Sequence, residues 1–164
     1  MFRTQSFFAF LFLLFSFTVN DQANALEVRS SVPDFSLKTL SGKSVKLSDY
    51  RGKTVLIDFW ATWCPPCRRE LKVLNEILNE FPEKNYKVLF LSVDQNLTAP
   101  QKYIKKMGYS KMTVLHDNKG ISQKYGVRGI PSLFVIDENG LLVKNHVGMV
   151  SKKILLKDLK LKKN

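Results

Sequence analysis

Residues 54–67, TVLIDFWATWCPPC, constrain this chain more than any other stretch. The run 54–61 is almost continuously apolar and β-rich, as expected of a strand covered on both faces of a parallel or mixed sheet. The pattern then changes at once. Pro65 and Pro66 suit a first helical turn, where no N–H is needed. From there Cys67, Leu71, Leu74, Ile77, Leu78 and Phe81 recur at three- and four-residue steps, so an amphipathic helix over 66–81 is predicted, ended by Pro82.

The remaining chain continues this strand–helix alternation. Residues 31–50 are short alternating segments punctuated by Pro33 and Ser41-Gly42, which predicts an N-terminal hairpin. A second buried strand is expected over 87–94, a helix over 99–108, a short strand over 112–117 and a short helix over 120–127. Residues 132–137 and 141–146 flank Asn139-Gly140 and should pair as an antiparallel hairpin. A last helix takes 151–163, with Ile154, Leu155, Leu156 and Leu159 against the sheet and lysines outside. No repeat, low-complexity segment or interdomain linker interrupts 26–164, so that stretch reads as one domain.

The chain's only two cysteines, Cys64 and Cys67, lie where the strand has ended and the helix begins. Two are too few for a disulfide scaffold, and so short a loop restrains an unfolded chain little. Their position suggests chemistry instead. A thiol at a helix N-terminus meets the positive end of the dipole and unpaired N–H groups, which favour thiolate. Cys64 is therefore the expected nucleophile and Cys67, one turn on and further inside, the resolving thiol of a dithiol–disulfide exchange. Trp60 is expected in the core and Trp63 beside the substrate groove, while His116 and His146 read as surface residues.

With VPDFSL upstream and YGVRGIPSLFVIDENG downstream, VLIDFWATWCPPCRRE resembles the TlpA/ResA-like branch of the thioredoxin superfamily, which contains exported thiol-disulfide oxidoreductases. The resemblance runs from Val32 to the last helix. It implies an α/β thioredoxin fold: a central mixed sheet flanked by helices, an N-terminal β-hairpin, and an inserted helix–strand segment at 96–117. It also implies a cis Ile130-Pro131 bond that places the backbone of Ile130 against the substrate and shapes the groove around Cys64. Asp58 matches the buried acid of thioredoxins proper, which serves the second cysteine in proton transfer; many TlpA-like chains carry Asn there, so this chain departs toward thioredoxin. A carboxylate in a buried strand has a raised pKa, as such a shuttle needs; the alternative is an Asp held by neighbours with no part in turnover. Glu70 resembles an acid that tunes the thiols in ResA-like proteins, and by spacing alone reads equally as a solvated first-turn Glu.

The reading for the site is thus a protein disulfide reductase with no cofactor beyond its redox disulfide and no metal. Pro65 and Pro66 add no cation and no donor to stabilise the thiolate, which argues against a strong oxidant. The family implies protein disulfide clients, cytochrome c precursors among them, and a membrane electron donor of the DsbD/CcdA type. A thiol oxidase or isomerase of the same fold is the nearest alternative, although no dimerisation segment is visible and a monomer is expected. A copper-delivery module is a distant one, since those carriers use CxxxC with a downstream histidine. A peroxiredoxin reading prompted by VPDFSL lacks a cysteine in a PxxxTxxC setting.

Residues 1–25 differ in character: Arg3, an apolar run at 7–19, then Ala23 and Ala25. The run falls short of the roughly 20 residues that span a bilayer, and the small residues suit a signal peptidase, so export to the periplasm with cleavage after Ala25 is expected. An uncleaved inner-membrane anchor is the competing reading. The formal net charge of +12 survives removal of this segment. Such a field suits acidic partners or an anionic membrane surface, or simply solvated lysines; no Arg-rich cluster interleaved with aromatics suggests nucleic acid.

Overall fold

A computed structural model describes residues 26–161; the expected signal segment 1–25 and the final three residues lie outside them. Strands β1 (Ser36–Lys38) and β2 (Ser44–Lys46) form the antiparallel N-terminal hairpin, and a short 3-10 turn (Leu47–Tyr50) follows. The main sheet comprises β3 (Thr54–Trp60), β4 (Tyr86–Ser92), β5 (Thr113–His116), β6 (Ser132–Ile136) and β7 (Leu142–Val147), in the order β5-β4-β3-β6-β7. Strands β3, β4 and β5 run parallel, while β6 and β7 are antiparallel. The helices are α1 (Pro65–Glu80), α2 (Thr98–Met107), α3 (Ile121–Lys124) and α4 (Lys152–Asp158). This is the expected thioredoxin fold with its hairpin and its inserted helix–strand segment.

Central β3 is buried at every position, which explains its unbroken apolar run. Alternation sends Val55, Ile57 and Phe59 to one face and Leu56, Asp58 and Trp60 to the other. On the first face Phe59, Tyr125 and Phe134 form an aromatic triangle with ring centroids 5.3–5.7 Å apart. On the second, Leu56 and Trp60 meet Cys64, Cys67, Leu71 and Leu74 of the α1 side and Leu155 of α4.

Both sheet edges are partly covered. The turn of the hairpin, just after β1, bridges β5 through Thr39 and Leu115, and the Leu40 N–H donates to the Val114 carbonyl. At the other edge the Arg29 N–H donates to Leu142 and the Leu142 N–H returns to Ser30. Such covering removes free ladder groups from open edges. The β6–β7 connection turns at Gly140, where φ is 81°, and Asp137 Oδ1 accepts the Asn139 and Leu141 N–H groups. That conformation favours glycine, and a Cβ there would also meet the Arg51 guanidinium.

Two expectations are corrected. Ile154 is 42% exposed, because three successive apolar residues cannot share one face at about 100° per residue; Leu155 and Leu159, four apart, take the core side. Neither histidine is a free surface residue. His146 pairs with Asp158 at 2.7 Å, linking β7 to α4, and His116 donates its Nε2–H to the Asp94 carbonyl at 2.8 Å.

Candidate active site

The strand-to-helix junction places the thiols. Strand β3 ends at Trp60, three residues form the turn, and Cys64 is the N-cap of α1, with the two prolines in its first turn. Cys64 and Cys67 are joined as a disulfide, with Cα atoms 5.3 Å apart. Cys64 Sγ accepts the Cys67 N–H at 3.2 Å, so the sulfur itself satisfies one of the helix's free donors. The same sulfur lies 3.8 Å from the Ile130 carbonyl oxygen, and the Ile130-Pro131 bond is cis, as the resemblance implied. Cys67 is fully buried and Cys64 nearly so, while Trp63 beside them is 66% exposed.

On the face of β3 that packs against the cysteines and α1 are two buried acids. Asp58 projects from β3 between Leu56 and Trp60, is wholly inaccessible, and neither of its oxygens has a hydrogen-bond partner among the described residues. Burial, and secondarily the charge of Glu70, raise its pKa well above the usual carboxylate range. Glu70 is also wholly buried, which overturns its reading as a solvated first-turn residue. Its Oε1 accepts the Val150 N–H at 2.6 Å, while Oε2 has no partner among the described residues. Desolvation pushes Glu70 up to about 7, with the Val150 bond pulling the other way. The helical phase explains its burial: Glu70 stands three residues after Cys67 and four before Leu74, on the stripe that faces the sheet.

One contributor went unread in the sequence. Asp94, just after β4, accepts the Thr62 N–H at 3.0 Å, the Thr62 hydroxyl at 2.6 Å and the Ser92 hydroxyl at 2.8 Å. It thereby ties the turn before Cys64 to the end of the neighbouring strand. The available signal was an acid directly following an apolar run, parallel and adjacent to the run that carries the cysteines. A cleft of about 400 Å³ lined by Thr39, Lys43, Tyr50 and Tyr109 lies at the hairpin side and shares no residue with this surround.

A cysteine capping a helix, a buried second cysteine in bonding distance and proton-binding groups below them can carry out dithiol–disulfide exchange. Known proteins agree. Residues 28–145 match the AhpC/TSA family. The chain is 36% identical over 142 residues to the thioredoxin-like protein YneN of Bacillus subtilis, covering 83% of this chain and 81% of that one. It is 34% identical over 131 residues to the thiol-disulfide oxidoreductase ResA of Geobacillus thermodenitrificans, covering 80% and 75%. Among solved structures it is similar to the exposed lipoprotein thioredoxin Etrx1 of Streptococcus pneumoniae, with a TM-score of 0.71, 36% identity and coverage of 78% of this chain and 98% of that one. The chain therefore belongs to the AhpC/TSA family and is, within the thioredoxin superfamily, a TlpA/ResA-like thiol-disulfide oxidoreductase whose redox pair is Cys64 and Cys67.

Proposed function

We propose that this oxidoreductase works as a reductase of protein disulfides outside the cytoplasm. The observation that carries the direction is the setting of Cys64. Its thiolate gains the helix end but no cation or extra donor from Pro65-Pro66, and two carboxylates are buried on the face of β3 that packs against the cysteines. Buried acids disfavour a further anion, so the dithiol form is not strongly stabilised and the couple is reducing.

The steps follow from the placement of the groups. The Cys64 thiolate attacks a client disulfide, forming a mixed disulfide and expelling one client thiolate, which takes up a proton. Cys67 then loses its proton, with ionised Asp58 as acceptor, and its thiolate attacks Cys64 Sγ. The Cys64–client S–S bond breaks, the second client sulfur leaves as thiolate and takes up the proton held by Asp58, so the client has gained two electrons and two protons and the Cys64–Cys67 disulfide remains. Glu70 tunes this second transfer through its charge on Asp58. The Ile130 backbone and Trp63 border the client chain.

A dithiol donor must restore the reduced state, and we assign that role to a membrane protein of the DsbD/CcdA type. Cytochrome c precursors are among the proposed clients. Export rests on the apolar run 7–19 followed by Ala23 and Ala25, and on the solved relative being described as exposed. Mass analysis of the protein from the cell envelope tests it, with an N-terminus at Leu26 expected; full-length chain in the cytoplasm overturns it.

The direction is tested by the reduction potential, titrated against a dithiol buffer and followed by tryptophan fluorescence. A value near about −270 mV, like thioredoxin, is expected; one near about −120 mV marks an oxidant and overturns the reading.

A further inference from the structure

The charge order of α1 runs against its dipole. Arg68, Arg69 and Lys72 occupy its first two turns, where the positive helix end disfavours cations, while Glu76 and Glu80 lie toward the C-terminal end and pair with Lys152. Arg68, Arg69 and Lys72 are exposed, and among the described residues no carboxylate pairs with any of them. Local helix stability does not account for this arrangement.

Arginine is also scarce, with six in the chain against twenty lysines. Two of the six directly follow Cys67. A third, Arg128, is exposed, has no carboxylate partner among the described residues and stands two residues before Ile130, whose carbonyl lies 3.8 Å from Cys64 Sγ. Exposed arginines therefore follow Cys67 and precede Ile130 in the chain, the two backbone segments that meet at Cys64 Sγ, and the charge of Arg68 also reaches Tyr103 of α2.

Among the described residues no exposed acid pairs with them. The segments 63–69, 122–136 and 141–151, which carry Cys64, Ile130 and the Gly148 that bonds Pro131, contain no Asp or Glu. The nearby acids Asp58, Glu70 and Asp94 are all buried. Two exposed apolar side chains stand next to the same backbone: Trp63, directly before Cys64, and Met149, following Gly148, whose N–H donates to the Pro131 carbonyl.

We infer that this rim is a docking surface for a client polypeptide bearing Asp or Glu close to its disulfide, with Arg68, Arg69 and Arg128 engaging the carboxylates and Trp63 and Met149 covering the intervening chain. Arg presents a planar fork that matches a carboxylate, and Arg and Trp are side chains enriched at the centres of protein contacts. The inference rests on the proposed reductase activity and deepens it.

The test uses three synthetic peptides with one internal disulfide and flanking Asp, Ser or Lys, reacted with the reduced protein by stopped flow. At low salt the Asp peptide should be reduced at least about 10-fold faster than the Lys peptide, with the ratio approaching one in about 0.5 M salt. The variant Arg68→Glu/Arg69→Glu/Arg128→Glu should invert the ratio, and taking the ratio within each variant cancels any change in Cys64 reactivity. Its Tm should not fall, since Glu at positions 68 and 69 agrees with the helix dipole. Arg128→Glu alone, away from α1, should lower the ratio partway. Equal rates for the three peptides overturn the docking surface but leave the reductase reading intact; reduction of none of them overturns that reading instead. Equal peptide rates together with salt-sensitive binding to phosphatidylglycerol vesicles, lost in the triple variant, would assign the rim to a bilayer.

Discussion

The two faces of β3 carry the same backbone and opposite priorities. Toward the hairpin and α3, Val55, Ile57 and Phe59 pack into a layer whose Tyr125 hydroxyl donates to the Pro33 carbonyl at 2.7 Å. Polar groups there are satisfied, and each aromatic pair adds about 0.5–1.5 kcal/mol beyond its burial. Toward α1, the same strand carries an unpartnered Asp58 and a Trp60 whose indole N–H also has no partner among the described residues. One face is built for stability and the other gives some up where the thiols need proton-binding groups nearby.

Replacing the nucleophile breaks this comparison most severely. Cys64→Ser should lower disulfide exchange by more than about a thousandfold, measured with an insulin-type reduction assay, while Cys67→Ser should accumulate mixed disulfide seen on non-reducing gels. Next in size, Phe134→Ala on the aromatic face should cost about 3–5 kcal/mol in urea unfolding yet leave exchange per folded molecule close to wild type. Such a result would separate the two faces cleanly; equal loss of activity would show them coupled.

Asp58→Ala should act in the opposite sense and stabilise the fold by about 1–3 kcal/mol near neutral pH, since an unsatisfied buried group is removed. The sign with pH follows from its raised pKa. The native state holds the Asp58 proton more tightly than the unfolded chain, so wild type is favoured below the ordinary carboxylate range and loses stability as pH rises from there toward the raised value. The gain from Asp58→Ala should therefore grow across that range, with slower turnover as the accompanying cost. A gain that shrinks as pH rises would contradict the buried, unpaired carboxylate.

Glu70→Gln is expected to be the smallest change. The amide oxygen can still accept the Val150 N–H, so the packing is kept while the ionisation near 7 is removed. Wild type should lose stability as pH rises from the usual Glu range to about 7, and the variant should flatten that decline. A limb near pH 7 in the exchange rate, altered by about two- to fivefold in the variant, would place Glu70 in the proton path. A pH–rate profile unchanged by the substitution would confine it to packing.

Much of this architecture follows from local pattern. The apolar run 54–61, the proline pair and the three-to-four spacing after it specify strand, turn and helix because each signal acts over a few residues. The same is true of the β6–β7 hairpin around Asn139-Gly140, whose geometry asks for a residue tolerant of positive φ. The pairing of the two cysteines was legible for this reason.

What the tertiary structure alone decided concerns groups whose state depends on distant partners. Glu70 offered two equal readings until Val150, eighty residues later, closed over it. Asp94 became the anchor of the turn before Cys64 only because β4 lies beside β3, and His146 found Asp158 only because α4 folds back onto β7. The sequence by itself determined where a reactive thiol pair sits on a helix end, since backbone dipole and proline geometry are local. Burial, and with it the ionisation of Asp58 and Glu70, required the packed sheet and helices, because desolvation is a property of everything that surrounds a charge.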